Sequence, residues 1–122
     1  NISLIICYDL RFPVWIRNSD NEYDLLICVA NWPTVRSRAW NALLDARAIE
    51  NMVYVCGVNR VGVDGNGFEY NGGSKIIDPK GIILATSENK TQAITVNISK
   101  DNLTRFRNKF PVWKDADEFK LL

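Results

Sequence analysis

Two aliphatic runs with almost no polar interruption, ISLIIC (2–7) and DLLICVA (24–30), constrain this chain more than any other feature. A strand that faces water on one side alternates apolar and polar residues, whereas a run apolar throughout reads as a strand buried on both faces. A third run, MVYVCGVNR (52–60), follows a segment of helical period. There Trp40, Leu43, Leu44 and Ala48 fall on one face together with Arg47, which predicts a helix over about residues 35–51. Past residue 60 the signals change. Ser74–Asp78 and Ile82–Ala85 flank Asp78-Pro79-Lys80-Gly81, a turn that makes them a hairpin. Buried, parallel-like strands followed by hairpins imply an α/β fold with a mixed sheet and helices on one face.

Smaller elements follow from local chemistry. Residues 12–18 read as a short helix with Pro13 in its first turn, where a missing N–H costs nothing. Thr91–Ile98 alternates apolar and polar residues and reads as a further strand. Ser99 is the expected N-cap of a last helix, with Asp101 in its first turn. Residues 110–122 are rich in aromatic and charged residues and have no period.

At 122 residues and 47% hydrophobic content the chain is long enough for one domain with a core. A net charge of +1, with both signs interspersed, gives no basic stripe, so no nucleic-acid partner is expected. No apolar run approaches the roughly 18 residues of a membrane span, so no membrane partner is expected either. The three cysteines, Cys7, Cys28 and Cys56, are odd in number and lack CxxC spacing. That argues against a disulfide framework or a thiolate zinc site and for a reducing cytoplasm, with neither metal nor other cofactor expected. The chain has no histidine, which excludes Ser-His and Cys-His nucleophile pairs within it. It opens at Asn1 directly into a core strand, so it reads as the latter part of a longer polypeptide.

Cys28 and Cys56 lie inside apolar strands and read as packing residues. Cys7 stands at the end of its strand, where two readings are open: a core cysteine closing the run, or a nucleophile presented at the turn. Asp9, Arg11 and the turn around Pro13 place polar groups where a strand's C-terminal end would open onto a pocket. The glycine-rich VDGNGFEYNGGS fits neither a calcium loop, since Glu69 stands at the position needing glycine, nor a phosphate loop, since no GK[ST] follows. It reads as a hairpin or rim loop. Arg47 and Glu50, three apart on the helix, allow a partly exposed ion pair, a buried pair or a subunit contact.

Taken in order, CYDLRFP, ANWP, RSRAWNALLDARAIEN, YVCGVNRVGVDGNG, GGSKIIDPKG and FRNKFPVWKDADEF resemble the nitrilase (carbon–nitrogen hydrolase) superfamily, and within it bacterial omega-amidases. The resemblance covers essentially the whole chain and makes residues 1–122 the C-terminal portion of a single hydrolase domain. It implies a four-layer α-β-β-α sandwich and a Glu-Lys-Cys catalytic triad, with the family's cysteine falling on Cys7. The glutamate and lysine belong to segments upstream of that cysteine, so this chain alone is expected to be inert. The implied chemistry is thioester-mediated release of ammonia from omega-amides of 2-oxo dicarboxylic acids. The backbone N–H of Tyr8 and the missing lysine would hold the oxyanion.

Arg11 could grip the substrate's free carboxylate bidentately, or brace the turn by pairing with Asp9. Asn31 and Trp32, ending the neighbouring strand, are expected to line the same pocket. Other nitrilase-branch substrates (N-carbamoyl or acyl amides) and a half-domain acting only in association are the alternatives. The resemblance also implies subunit pairing through the 35–51 helix, with ARAIEN near the seam, and so at least a homodimer.

Overall fold

The structure is a computed structural model and describes residues 1–120. In chain order its strands are β1 (Ile2–Ile6), β2 (Leu25–Ala30), β3 (Tyr54–Asn59), β4 (Val61–Val63), β5 (Glu69–Ile77) and β6 (Ile83–Glu88). Its α-helices are α1 (Pro13–Ile16), α2 (Ser37–Asn51) and α3 (Lys100–Lys109). The first three strands lie side by side and parallel, with Ile2 opposite Leu25 and Leu25 opposite Tyr54. The sheet then turns antiparallel: Val55 of β3 faces Ile77 of β5, and β6 runs along the other edge of β5. The start of β5 folds back on β4 as a hairpin. The expected mixed sheet is therefore formed, and the DPKG turn joins β5 to β6, with the Gly81 N–H returning to the Asp78 carbonyl at 3.0 Å.

Helix α2 covers one face of this sheet. Its 3.6-residue period aims Trp40, Leu44 and Ala48 at Leu26, Cys28, Val55 and Ile77, all buried together. Gly57 makes the close approach possible: a Cβ there would stand 2.4 Å from Leu44 Cδ1 and 2.9 Å from Trp40 Cζ2. The Trp40 indole N–H donates to the Gly73 carbonyl at 2.8 Å, tying the helix to β5. The apolar stripe is thus consumed by the chain's own sheet. Helix α2 stops at Met52, whose φ of 52° is left-handed.

The opposite face of the sheet is different. Ile2, Leu4 and Ile6 of β1 are 62–73% exposed, and Val29 and Val58 carry the same open surface across β2 and β3. The strands are apolar on both faces, as their sequences indicate, yet helical cover lies on one.

The alternating segment Thr91–Ile98 is not a strand. β6 ends at Glu88, and Asn89 turns the chain with a φ of 53°. Ile94 and Val96 turn partly inward while Ala93 and Thr95 face outward, but no ladder forms along them. Alternation describes a half-buried extended chain; a strand also needs a neighbour with free backbone groups. The first run likewise ends its strand at Ile6, one residue earlier than read, because Cys7 begins a 3₁₀ turn. Pro13 opens α1, which is shorter than the 12–18 reading. Ser99 caps α3 as expected, its Oγ accepting the Asn102 N–H at 3.2 Å. Of the aperiodic tail, Val112–Asp115 forms a 3₁₀ turn, and residues 121 and 122 lie outside those described.

Candidate active site

Because β1, β2 and β3 run parallel, their C-terminal ends share one edge of the sheet, where Cys7, Asn31–Trp32 and Asn59 come together. Cys7 adopts a φ of 44°, a left-handed conformation that costs a non-glycine residue about 1–3 kcal/mol. Such strain persists only where the surroundings enforce it, and here they do. The Asp9 carboxylate accepts the Ile6 N–H at 2.9 Å, and the Phe12 N–H closes onto the Asp9 carbonyl at 2.9 Å. Leu10 is fully buried, and its carbonyl accepts from the Arg47 guanidinium at 2.6 Å. The 3₁₀ turn Cys7–Arg11 is therefore fixed at both ends and from beneath. Its cysteine is half-buried, with Sγ 3.9 Å from the Asn31 carbonyl oxygen.

The other thiols are held differently. Cys28 is wholly buried in the core, and burial pushes its thiol up to about 12. Burial also raises Cys56 on β3. Both stay protonated at neutral pH and are poor nucleophiles. Cys28 packs in the core as the sequence indicates, whereas Cys56 is partly buried and stands outside the core cluster.

Arg11 does not pair with Asp9, whose carboxylate serves the Ile6 N–H, and it makes no ion pair among the described residues. Its guanidinium instead lies 4.9 Å from the Trp32 ring centroid and 5.9 Å from that of Tyr8, a cation–π placement that leaves its N–H fork available. Tyr8 is exposed and meets Phe12 edge-on at 5.4 Å. Trp32 is buried, its indole N–H donating to the Arg36 carbonyl at 2.8 Å, and its ring leans on Trp40 at 5.5 Å. Trp32 thus supports Arg11 from below, while Asn31 is exposed and offers its carbonyl to Cys7.

Two residues here escaped the sequence reading as parts of the site. Arg47 is buried, with one guanidinium nitrogen on Glu50 at 2.8 Å and another on the Leu10 carbonyl of the Cys7–Arg11 turn; its Nε–H has no partner among the described residues. The signal was an arginine on an apolar stripe. Asn59 is buried at the end of β3 and bonds Trp32 twice and Gly72 once. Its signal was a lone amide closing an apolar run.

In the glycine-rich loop the Asp64 carboxylate accepts the N–H groups of Asn66 and Phe68 and the Tyr70 hydroxyl, so it builds the hairpin. No cluster of three His, Cys, Asp or Glu side chains suited to a metal occurs among the described residues. No helix among them is long and apolar enough to cross a membrane.

The model of the carbon–nitrogen hydrolase family matches residues 1–108. The chain is 56% identical over 118 residues to omega-amidase YafV of Escherichia coli (strain K12), covering 96% of this chain and 46% of that protein. It is 38% identical over 112 residues to 2-oxoglutaramate amidase of Bacillus subtilis, covering 91% of this chain and 43% of that protein. The crystal structure of XC1258 from Xanthomonas campestris, a CN-hydrolase superfamily protein with an arsenic adduct in its active site, superposes with a TM-score of 0.96 at 44% identity. That match covers 99% of this chain and 48% of XC1258. The chain thus spans about half the length of the relatives it matches, and within that span sequence and backbone agree: it belongs to the carbon–nitrogen hydrolase family.

Proposed function

We propose that the protein containing this chain hydrolyses amides by acyl transfer to Cys7, with omega-amides of 2-oxo dicarboxylic acids as its substrate class. The observation that carries this is the placement of Cys7: a left-handed cysteine at the C-terminal end of a parallel strand, on a turn braced by Asp9 and Arg47. The names of two relatives, an omega-amidase and a 2-oxoglutaramate amidase, support the substrate class.

Free cysteine has a pKa of about 8.5, so a cysteine nucleophile works at neutral pH with the help of a base. By resemblance to the family a glutamate takes that role and a lysine assists. Lys75 and Glu50 do not stand in for them: Lys75 is paired with Asp45 and Glu50 with Arg47. The glutamate takes the Cys7 proton, and Sγ attacks the amide carbon. The carbonyl electrons move to oxygen, giving an oxyanion held by the Tyr8 backbone N–H and the lysine. When the oxyanion collapses, the C–N bond breaks and nitrogen takes the proton back from the glutamate, leaving as ammonia. Water, deprotonated by the same glutamate, attacks the thioester, and the S–C bond breaks to give the carboxylic acid and regenerate the thiol. Arg11 receives the substrate's distal carboxylate, its fork held over Trp32 and Tyr8.

Three further points belong to this reading. Residues 1–122 by themselves lack the base and are inert. The working protein sits in the reducing cytoplasm as at least a homodimer. Its seam uses the outer side of α2, where Ile49 and Glu50 are exposed, since the inner stripe is occupied by the sheet. The test is ammonia release from 2-oxoglutaramate by the full-length protein and by Cys7→Ala. Activity surviving Cys7→Ala refutes the nucleophile. Faster turnover of N-carbamoyl or simple acyl amides than of the omega-amide refutes the substrate class.

A further inference from the structure

We propose that Asn59 is the positioning residue of this site, holding the Asn31–Trp32 turn in the geometry that serves both Cys7 and Arg11. Parallel strands lose their backbone partners where they end. The Arg60 N–H still reaches the Ala30 carbonyl at 3.2 Å, but beyond Ala30 the chain of β2 leaves the ladder. The Asn59 side chain replaces the missing rung. Its Oδ1 accepts the Trp32 N–H at 2.7 Å, and its Nδ2 donates to the Trp32 carbonyl at 2.9 Å, as a neighbouring peptide would. The second Nδ2 proton goes to the Gly72 carbonyl at 2.7 Å, joining β5 to the same point. Both donors and the acceptor of the amide are thus committed in a buried setting.

Ser74 serves the main chain of Asn59 separately. Its hydroxyl oxygen accepts the Asn59 N–H at 2.9 Å and lies 3.1 Å from the Asn59 carbonyl. The Asn59 side chain is therefore free for the turn and for its link to β5. The peptide it grips carries the site's two working contacts. One residue earlier is the Asn31 carbonyl facing Cys7 Sγ, and the Trp32 ring itself lies beneath Arg11. No other residue type repeats this pattern at this length. Aspartate keeps the acceptor but sets a charged oxygen against the Trp32 and Gly72 carbonyls, and leucine orphans three backbone groups.

The inference rests on Cys7 as nucleophile, and its test separates the two claims. In the full-length protein, Asn59→Asp and Asn59→Gln are compared with Ser74→Ala, which disturbs the same strand end through the main chain. Three quantities are read. They are the iodoacetamide alkylation rate of Cys7 relative to Cys56, kcat and KM for amides with and without a distal carboxylate, and the melting temperature. A shift of the turn by about 1 Å is enough to slow a positioned reaction by roughly tenfold or more. Both Asn59 variants are therefore expected to change the Cys7 alkylation ratio several-fold, to lower kcat, and to reduce the preference for the carboxylate substrate. Ser74→Ala lowers the melting temperature alone. Should Asn59→Asp fail to fold, Asn59→Gln, which keeps the amide one methylene further out, carries the test. Asn59 variants that melt early yet keep the alkylation ratio and the substrate preference overturn the proposal. If Cys7→Ala stays active while Asn59→Gln still changes Cys7 alkylation, the catalytic reading falls and the positioning role stands.

Discussion

Replacing Gly57 by alanine tests how the helix is seated on the sheet. The new methyl would stand 2.4 Å from Leu44 Cδ1, 2.9 Å from Trp40 Cζ2 and 3.0 Å from Leu44 Cδ2. The first contact is about 1 Å short of ordinary van der Waals distance. Neither neighbour has an easy retreat: Leu44 is fully buried, and the Trp40 ring is pinned by its bond to the Gly73 carbonyl. Overpacking of this kind costs about 1–3 kcal/mol, and the smaller chain entropy of unfolded alanine returns about 0.4–1 kcal/mol. The net expectation is a loss of about 1–2 kcal/mol. With a urea m-value of about 2 kcal/mol/M, the midpoint falls by about 0.5–1 M with m unchanged. The assay is urea unfolding of the full-length protein followed by tryptophan fluorescence at fixed concentration. Leu44→Ala supplies the decisive arm, since it removes two of the three clashing atoms. Alone it costs about 2–5 kcal/mol, but beside Gly57→Ala the new methyl fills part of the vacated space. The double variant should be more stable than the sum of the two losses by about 1 kcal/mol or more. Additivity within about 0.3 kcal/mol, or a neutral Gly57→Ala, would show that the helix does not rest on this glycine as described.

Arg11→Lys in the full-length protein should raise KM for carboxylate-bearing amides about tenfold while changing uncharged amides little, because an ammonium cannot reproduce the planar fork; equal losses on both substrate types refute the carboxylate role. Asp24 accepts from Arg107 and Lys100. Burial works against its charge, but the bond from Lys100 prevails and holds its carboxyl below the ordinary 3.8. A lowered folded-state pKa gives stability that is present above about 3.8 and lost as the pH falls below it, so Asp24→Asn should flatten the acid limb of the melting curve there. An unchanged acid limb in Asp24→Asn would show that other groups govern it. Glu50→Lys should weaken the proposed dimer in light scattering at micromolar concentration, and a wild-type mass of a single chain would remove the dimer altogether.

Much of this architecture can be read from residue order, and the parts that cannot share a physical cause. The aliphatic runs, the period of Trp40, Leu44 and Ala48, the Ser99 cap and the DPKG turn are local signals, and each becomes the element it indicates. Thr91–Ile98 carries an equally clear local signal, but strand formation depends on a neighbour the segment does not choose. The site divides the same way. Cys7 is legible because a strand stops there. Asn59 and Arg47 act through contacts 27 and 37 residues away, to Trp32 and Leu10, which no spacing rule connects. For Arg11 the sequence offers its neighbour Asp9, yet its actual partner, Trp32, arrives from beyond the next strand.

The φ of 44° at Cys7 also bears on how a chain of this kind would change once released from catalysis. A side chain in that conformation is held against its own steric preference, at about 1–2 kcal/mol, whereas glycine adopts it freely. With Cys7 in the proposed role, reactivity and stability pull this one codon in opposite directions, and only the chemistry opposes its drift. A copy retained for association alone would gain by exchanging the whole side chain for a hydrogen. The size of that pull is open to measurement, since Cys7→Gly should melt above Cys7→Ala, although glycine ordinarily costs more chain entropy than alanine. If alanine is the more stable of the two, the turn is not strained, and the nucleophile occupies its place without a thermodynamic penalty.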